Sequence, residues 1–507
     1  MTSNSAEIVR RLKAWKSGRP APRGSTLHFP LPADGDILIA AFVRMGGESS
    51  PWGIVLGHPG RKPKTWTVPE ARNRDLVGDM ISEVAPLLLA HFHHPDFSDD
   101  SDEVLDGEVP LRQLWLPNPS HLDMLHYINY TYAFTRWGDA DRSRLLRATG
   151  RLSGFLFREA KRPGQVTVMV ATEVLRESHS FPAEDVRQGH LGFLLAWLQT
   201  QGARGTRMKA AQDAEALSIG SSLDPALERD QLQDLVDGWN AAVKNSDEKG
   251  ARLRARDIQA SLTEELERRF HLVERSITCL REDPREANGG VTGLAQESIR
   301  QLASQYLRLE LKRPGPKEEP PFTPSPETDR NPAAAAAMYY LHEASEEARV
   351  AALVHDDKEM QLEVIADGEG IEGEVVSVEE VKEGRVTHPV WTLKVRDLYP
   401  LRVREGAHLC VAGAARREVH VQSIVPAGPG ELRVQVEVVA QFKDVSGAVY
   451  TRVYPASDRR YIGRVVRLLP TSMESIPRLK SSAVWNKDVP GAWLTHAKPG
   501  AQVEESE

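Results

Sequence analysis

Residues 408–439 read HLCVAGAARREVHVQSIVPAGPGELRVQVEVV. Apolar and polar side chains alternate within His408–Val411, Val419–Val425 and Leu432–Val439, and Gly413, Gly428 and Gly430 fall between these runs. Side chains of a strand point alternately to its two faces, so a period of two interrupted by turn residues predicts antiparallel strands, one face buried and one wet. The same period recurs upstream in Ile371–Val378, Val390–Val395 and Leu401–Val403 and downstream in Ile462–Leu468, with Gly384, Gly406 and Gly447 as further breaks. Seven short strands at this spacing predict one or two small β-barrels, because closure removes exposed edges.

Charge reverses inside this region. Leu341 to Gly384 carries 14 acidic residues against 3 basic ones, and Arg385 to Lys480 carries 16 basic against 8 acidic. The chain as a whole has a net charge of -8, so any polyanion site must be local. Arg396, Arg402, Arg404, Arg416, Arg417, Arg459, Arg460, Arg464, Arg467 and Lys480 are interleaved with Trp391, Tyr399, Tyr454 and Tyr461. Small barrels use this mixture to hold phosphates with cations and unstacked bases with aromatic faces. These arginines, with Lys480, Trp391 and Tyr461, are the candidate nucleic-acid-binding residues. The competing reading is that they lie on ordinary solvated strand faces, neutralised by the acidic stretch before them.

Upstream, Arg313–Pro326 is a proline-rich linker of extended, semi-rigid character. The 507 residues thus divide into an α+β multidomain chain. Its expected parts are an N-terminal small α/β unit over 1–110, a mainly helical domain over 111–313 with a hairpin at 251–313, the linker at 314–332, an acidic helix and first strand at 333–384, and a basic β-barrel module at 385–507. Within the first unit, Ile37–Val43 and Trp52–Leu56 predict a hairpin, and Leu76 to Leu89 predicts a helix kinked at Pro86. Asp96–Glu108 carries seven acids and no base, which predicts a solvated loop. Gln165–Val170 reads equally as a buried strand or as part of a helix. Ile258, Leu262, Leu266, Phe270, Val273, Ile277 and Leu280 are spaced by threes and fours, which predicts a long helix with a coiled-coil-like seam, paired with a second helix through Leu294–Leu309. Ile8, Val9, Leu12 and Trp15 mark an N-terminal docking helix.

Motifs for chemistry are weak. Gly57–Thr65 ends in Lys-Thr, yet Pro63 stands where a phosphate loop needs glycine, and proline has no amide to donate. His91, His93, His94 and Asp96 crowd together, but His121 and His126 are five apart, the wrong spacing for one helix face, and His355-Asp356 lacks a distant first ligand. No metal or cofactor is expected. Gly150–Gly154 lacks the order of a nucleophile elbow, and neither Cys279 nor Cys410 has an activating neighbour in sequence. With two separated cysteines, no apolar leader and no long apolar run, a cytoplasmic, non-membrane protein is expected.

The leading expectation is a non-enzymatic accessory or scaffold subunit of a larger machine, binding nucleic acid through the basic β module and engaging a protein partner. The alternatives are a protein-interaction scaffold without nucleic-acid binding, and an enzyme with an unrecognised site in residues 25–200.

Overall fold

The computed structural model describes residues 4–92 except 26, 28 and 48; 111–285 except 163 and 184–186; and 343, 346, 350, 351, 353–383, 386–398, 400–413, 417–439, 441–443, 449–451 and 456–470. The acidic loop Asp96–Glu108, the partner helix through Leu294–Leu309 and the Arg313–Pro326 linker lie outside the described residues. The protein is mixed α/β, with a closed six-stranded β-barrel in its C-terminal region.

After helix α1 (Asn4–Ser17) and a short strand β1 (Ala21–Pro22), the chain makes a three-stranded meander, β2 (Ile37–Arg44), β3 (Pro51–Gly57) and β4 (Lys64–Thr67). Helix α2 (Arg74–Phe92) follows, with Pro86 inside it. The sheet then gains two strands parallel to β2, namely β5 (Gln113–Leu116) and, after helices α3 (Leu122–Tyr132) and α4 (Ala140–Glu159), β6 (Val168–Val170). Its order is β4-β3-β2-β5-β6. Ile37 to Val43 and Pro51 to Gly57 are buried without alternation, as in a sheet covered on both faces.

The cover is helical. Beyond α5 (Ala171–Ser178) and β7 (His179–Ser180), which pairs with β1, come α6 (Leu191–Gln199), α7 (Arg204–Glu215), α8 (Pro225–Leu227), α9 (Gln233–Lys244) and α10 (Glu248–Arg281). The expected seam of α10 is fully buried and lies on the sheet, along β2, β3 and β4. Gly53 and Gly57 permit this approach. A Cβ at Gly53 would come 2.7 Å from Leu266 Cδ1, and one at Gly57 3.0 Å from the Phe270 ring. One apolar cluster therefore runs from Leu27 to Leu280, and the segments separated at residue 110 in the sequence reading share a core.

Helix α11 (Lys358–Ala366) leads into the barrel, whose strands are β8 (Ile371–Glu383), β9 (Val386–Arg396), β10 (His408–Val411), β11 (Glu418–Gly428), β12 (Glu431–Val438) and β15 (Val465–Leu469), with a side hairpin of β13 (Gln441–Lys443) and β14 (Val449–Thr451). The closed order is β10-β11-β12-β9-β8-β15. Alternate residues fill it, among them Ile371, Val375, Leu393, Val419, Val421, Val434, Val436 and Leu468. Two expectations need correction. Leu401–Val403 is not a strand, because the Arg402 and Val403 amides both donate to the Gly368 carbonyl, at 2.9 and 3.2 Å, and take no place in a ladder. The charge boundary at 384/385 is not a module boundary either, since acidic β8 and basic β9 are paired strands of one barrel.

The barrel is tied to the rest of the chain through α1. Arg10 forms a buried ion pair with Asp357, Lys13 pairs with Glu359, and Ser25 binds Asp356. From α11, Gln361 accepts a hydrogen bond from Arg467 of β15 at 3.0 Å.

Candidate nucleic-acid interface

A 3-10 turn, Ala456–Tyr461, lies at the mouth of the barrel. Its Asp458 is buried there because two donors reach it: the Trp391 indole N–H, from β9, at 3.1 Å, and the Arg417 guanidinium, just before β11, at 2.6 Å. A buried carboxylate is tolerable only when its oxygens are occupied in this way. The Tyr461 ring packs on Trp391 with centroids 4.6 Å apart, while Arg417 and Arg460 lie 5.1 and 5.2 Å from the Tyr461 centroid. Those separations are within cation–π range.

The candidate residues therefore divide. Arg459, Arg460 and Arg464 are exposed together at this mouth, with half-buried Tyr461 beside them. Among the described residues no carboxylate pairs with any of the three arginines. Arg467 is half-buried nearby, its Nε donating to Glu372 at 2.7 Å. Trp391 is wholly inside the barrel and Arg417 is buried in its ion pair, so both build the mouth and neither presents a free surface. Arg396 is exposed five residues further along β9, roughly 16 Å away at the rise of a strand. Arg402 and Arg404 are exposed on the β9–β10 connection, Arg402 lying 3.9 Å from Glu369. Arg416, Lys480, Tyr399 and Tyr454 lie outside the described residues.

Packing adds a cation that composition concealed. A groove of about 570 Å³ runs beside β15, lined by Lys358, Glu372, Tyr461, Arg464, Val465 and Arg467 among others. Lys358 belongs to the acidic stretch, and only the docking of α11 against β15 brings it here. Arg402 and Arg467 with their glutamate partners show that part of the acidic stretch does neutralise basic residues, whereas the mouth arginines escape it.

The other candidate motifs resolve into structure. Gly57–Thr65 spans the last residue of β3, the turn and the first two residues of β4, and the Gly60 amide in the turn donates to Glu274. Gly150 lies within α4, against the backbone of Ala133. His91 contacts the Gln113 carbonyl, His126 packs on Phe157, and among the described residues no group of three His, Cys, Asp or Glu is placed to hold a metal. His93, His94 and Asp96 are outside the described residues. His355 is buried and its carbonyl accepts from Gln361, while Asp356 serves Ser25. Burial pushes the Cys279 thiol up, away from nucleophilic character, and the Gln199 amide donates to its sulfur.

Open α/β sheets bind ligands in the crevice where strand order switches, here between the carboxyl ends of β2 and β5. Residues 218–223 fill that place. The Arg44 amide donates to the Ser221 carbonyl at 2.7 Å, the Ser221 amide donates to Ser120 Oγ at 2.8 Å, and the buried Arg269 guanidinium reaches the Gly220 carbonyl at 3.0 Å. His121 completes the plug: it accepts from the Phe42 amide at Nδ1 and donates to the Ile219 carbonyl at Nε2. No protein-family model, no curated protein and no solved structure matches this chain.

Proposed function

We propose that this protein is a non-enzymatic accessory subunit that binds nucleic acid through the mouth of its C-terminal barrel. The observation that carries this reading is the grouping of Arg459, Arg460 and Arg464 beside Tyr461, exposed and, among the described residues, unpaired with carboxylates. Three unneutralised guanidinium groups within six residues attract a polyanion strongly at low salt, and a rigid closed barrel holds them with little ordering cost. Arg396, Arg402 and Arg404 extend the basic surface toward the far end of β9. The plugged crevice of the N-terminal sheet favours a binding role over an active site there.

A protein partner is the second reading, favoured by α1, where Ile8, Leu12 and Trp15 are 52, 61 and 51 % exposed at i, i+4, i+7 spacing. Titrating the full-length protein into labelled DNA and RNA by fluorescence anisotropy decides between them. Binding that weakens steeply with salt is expected; no measurable affinity at roughly 50 mM salt would favour the scaffold.

A further inference from the structure

We infer that the groove beside β15 receives one unpaired nucleic-acid strand, with a phosphate between Lys358, Arg464 and Arg467 and the adjoining base against Val465. This rests on the nucleic-acid reading above and specifies the form of nucleic acid bound. Three observations carry it. The groove, about 570 Å³, is concave and of a size that holds a small ligand, whereas a duplex backbone meets protein on a broad convex front. Of its lining carboxylates and cations, Lys358, Arg464 and Arg467 outnumber the single Glu372. Gln361 accepts from the Arg467 guanidinium at 3.0 Å, so one cation is already oriented before a ligand arrives, while Glu372 accepts from its Nε at 2.7 Å.

The apolar residues decide between single and double strands. Val465 is 66 % and Ile462 46 % exposed, on either side of Arg464. In a duplex the bases are stacked inward and only charged phosphates and sugars meet such a surface, so these side chains would gain nothing. An unpaired base has an apolar face to bury, and its phosphate lies within reach of the flanking cations. Glu372 is the internal competitor, because it occupies Arg467 where the phosphate would bind. Its neutralisation should therefore strengthen binding.

The test uses the full-length chain and labelled single strands of DNA and of RNA, about 12 nucleotides long, against a duplex of the same length. Wild type should prefer a single strand by about tenfold or more, and the DNA and RNA arms show which sugar is favoured. Lys358→Glu and Arg464→Glu should each weaken strand binding about tenfold and flatten the log-affinity against log-salt slope by about 0.7. Val465→Asp should weaken the single strand and spare the duplex, and Glu372→Gln should tighten both strand complexes. All three weakened positions are exposed; Lys358→Gln and Arg464→Gln remove charge without adding any and serve if a reversal lowers the melting temperature. A strand bound equally by wild type and groove variants, but lost in Arg459→Glu/Arg460→Glu, overturns the groove and leaves the nucleic-acid reading standing. Preference for the duplex overturns the single-strand assignment. A wild-type protein that binds no nucleic acid removes both.

Discussion

Arg417 and Asp458, 41 residues apart in the chain, meet at 2.6 Å inside the mouth of the barrel. The pair joins the approach to β11 to the turn before β15, and the same carboxylate accepts from Trp391. Asp458→Ala would remove the carboxylate to which the buried Arg417 guanidinium and the Trp391 indole N–H both donate. A loss of about 3–5 kcal/mol is expected, measured by denaturant unfolding. Replacing both partners with apolar residues, Arg417→Met/Asp458→Leu, should recover most of it. A charge reversal at Arg417 sets two carboxylates together in the interior, so it should unfold the barrel and is no clean probe of binding.

At the surface the opposite is expected. Arg459→Glu/Arg460→Glu alters exposed side chains, so the melting temperature should stay within a degree or two of wild type. Nucleic-acid affinity should fall, and the salt slope should flatten by about 0.7–0.9 for each lost phosphate contact. Retained affinity with an unchanged slope would remove the mouth from the binding surface.

The contact of α10 with β3 makes a stability prediction. Leu266→Asp places an unpaired carboxylate against Gly53, and Gly53→Val drives a branched side chain into Leu266, whose Cδ1 lies only 2.7 Å from the added Cβ position. Each should cost several kcal/mol, read as a drop in the thermal midpoint. Equivalent changes at Leu253, 60 % exposed on the same helix, should have little effect.

Acid should weaken the N-terminal core through His121. Burial, with Arg269 nearby, lowers this imidazole to about 3, because both ring nitrogens are already committed and a second proton would face the Phe42 amide. The unfolded chain takes up its proton near 6.5, so it binds more protons than the native state between about pH 6.5 and 3. Stability is therefore full above that window and declines as pH falls through it. His121→Gln, able to accept and donate in the same places, should flatten this part of the stability profile, followed by urea unfolding at a series of pH values.

Much of the barrel was legible because it is written locally. Alternation in 419–425 and 432–438 follows from one buried and one wet face, and that pattern survives whichever strands are neighbours. The stripe from Ile258 to Leu280 was equally plain, since any amphipathic helix must bury one side. Its target was not. A seam that fits another helix also fits a sheet, and Gly53 and Gly57, some two hundred residues earlier, are what open the sheet to it. Gln113–Leu116 carries no strand signal of its own and Val168–Val170 fits strand or helix equally, because parallel strands draw their hydrogen bonds from remote partners and carry no turn between them.

The sequence alone determined that this chain has alternating strands enough for a small barrel, a long amphipathic helix and a local excess of arginine after an acidic stretch. Only the tertiary structure decided which arginines meet solvent. Register and closure turned Trp391 and Arg417 inward, set Glu372 against Arg467, left Arg459, Arg460 and Arg464 outside, and brought Lys358 from the acidic stretch to join them. Charge along a chain is a one-dimensional property, whereas a binding surface depends on which faces the barrel presents, and long-range strand pairing fixes those faces.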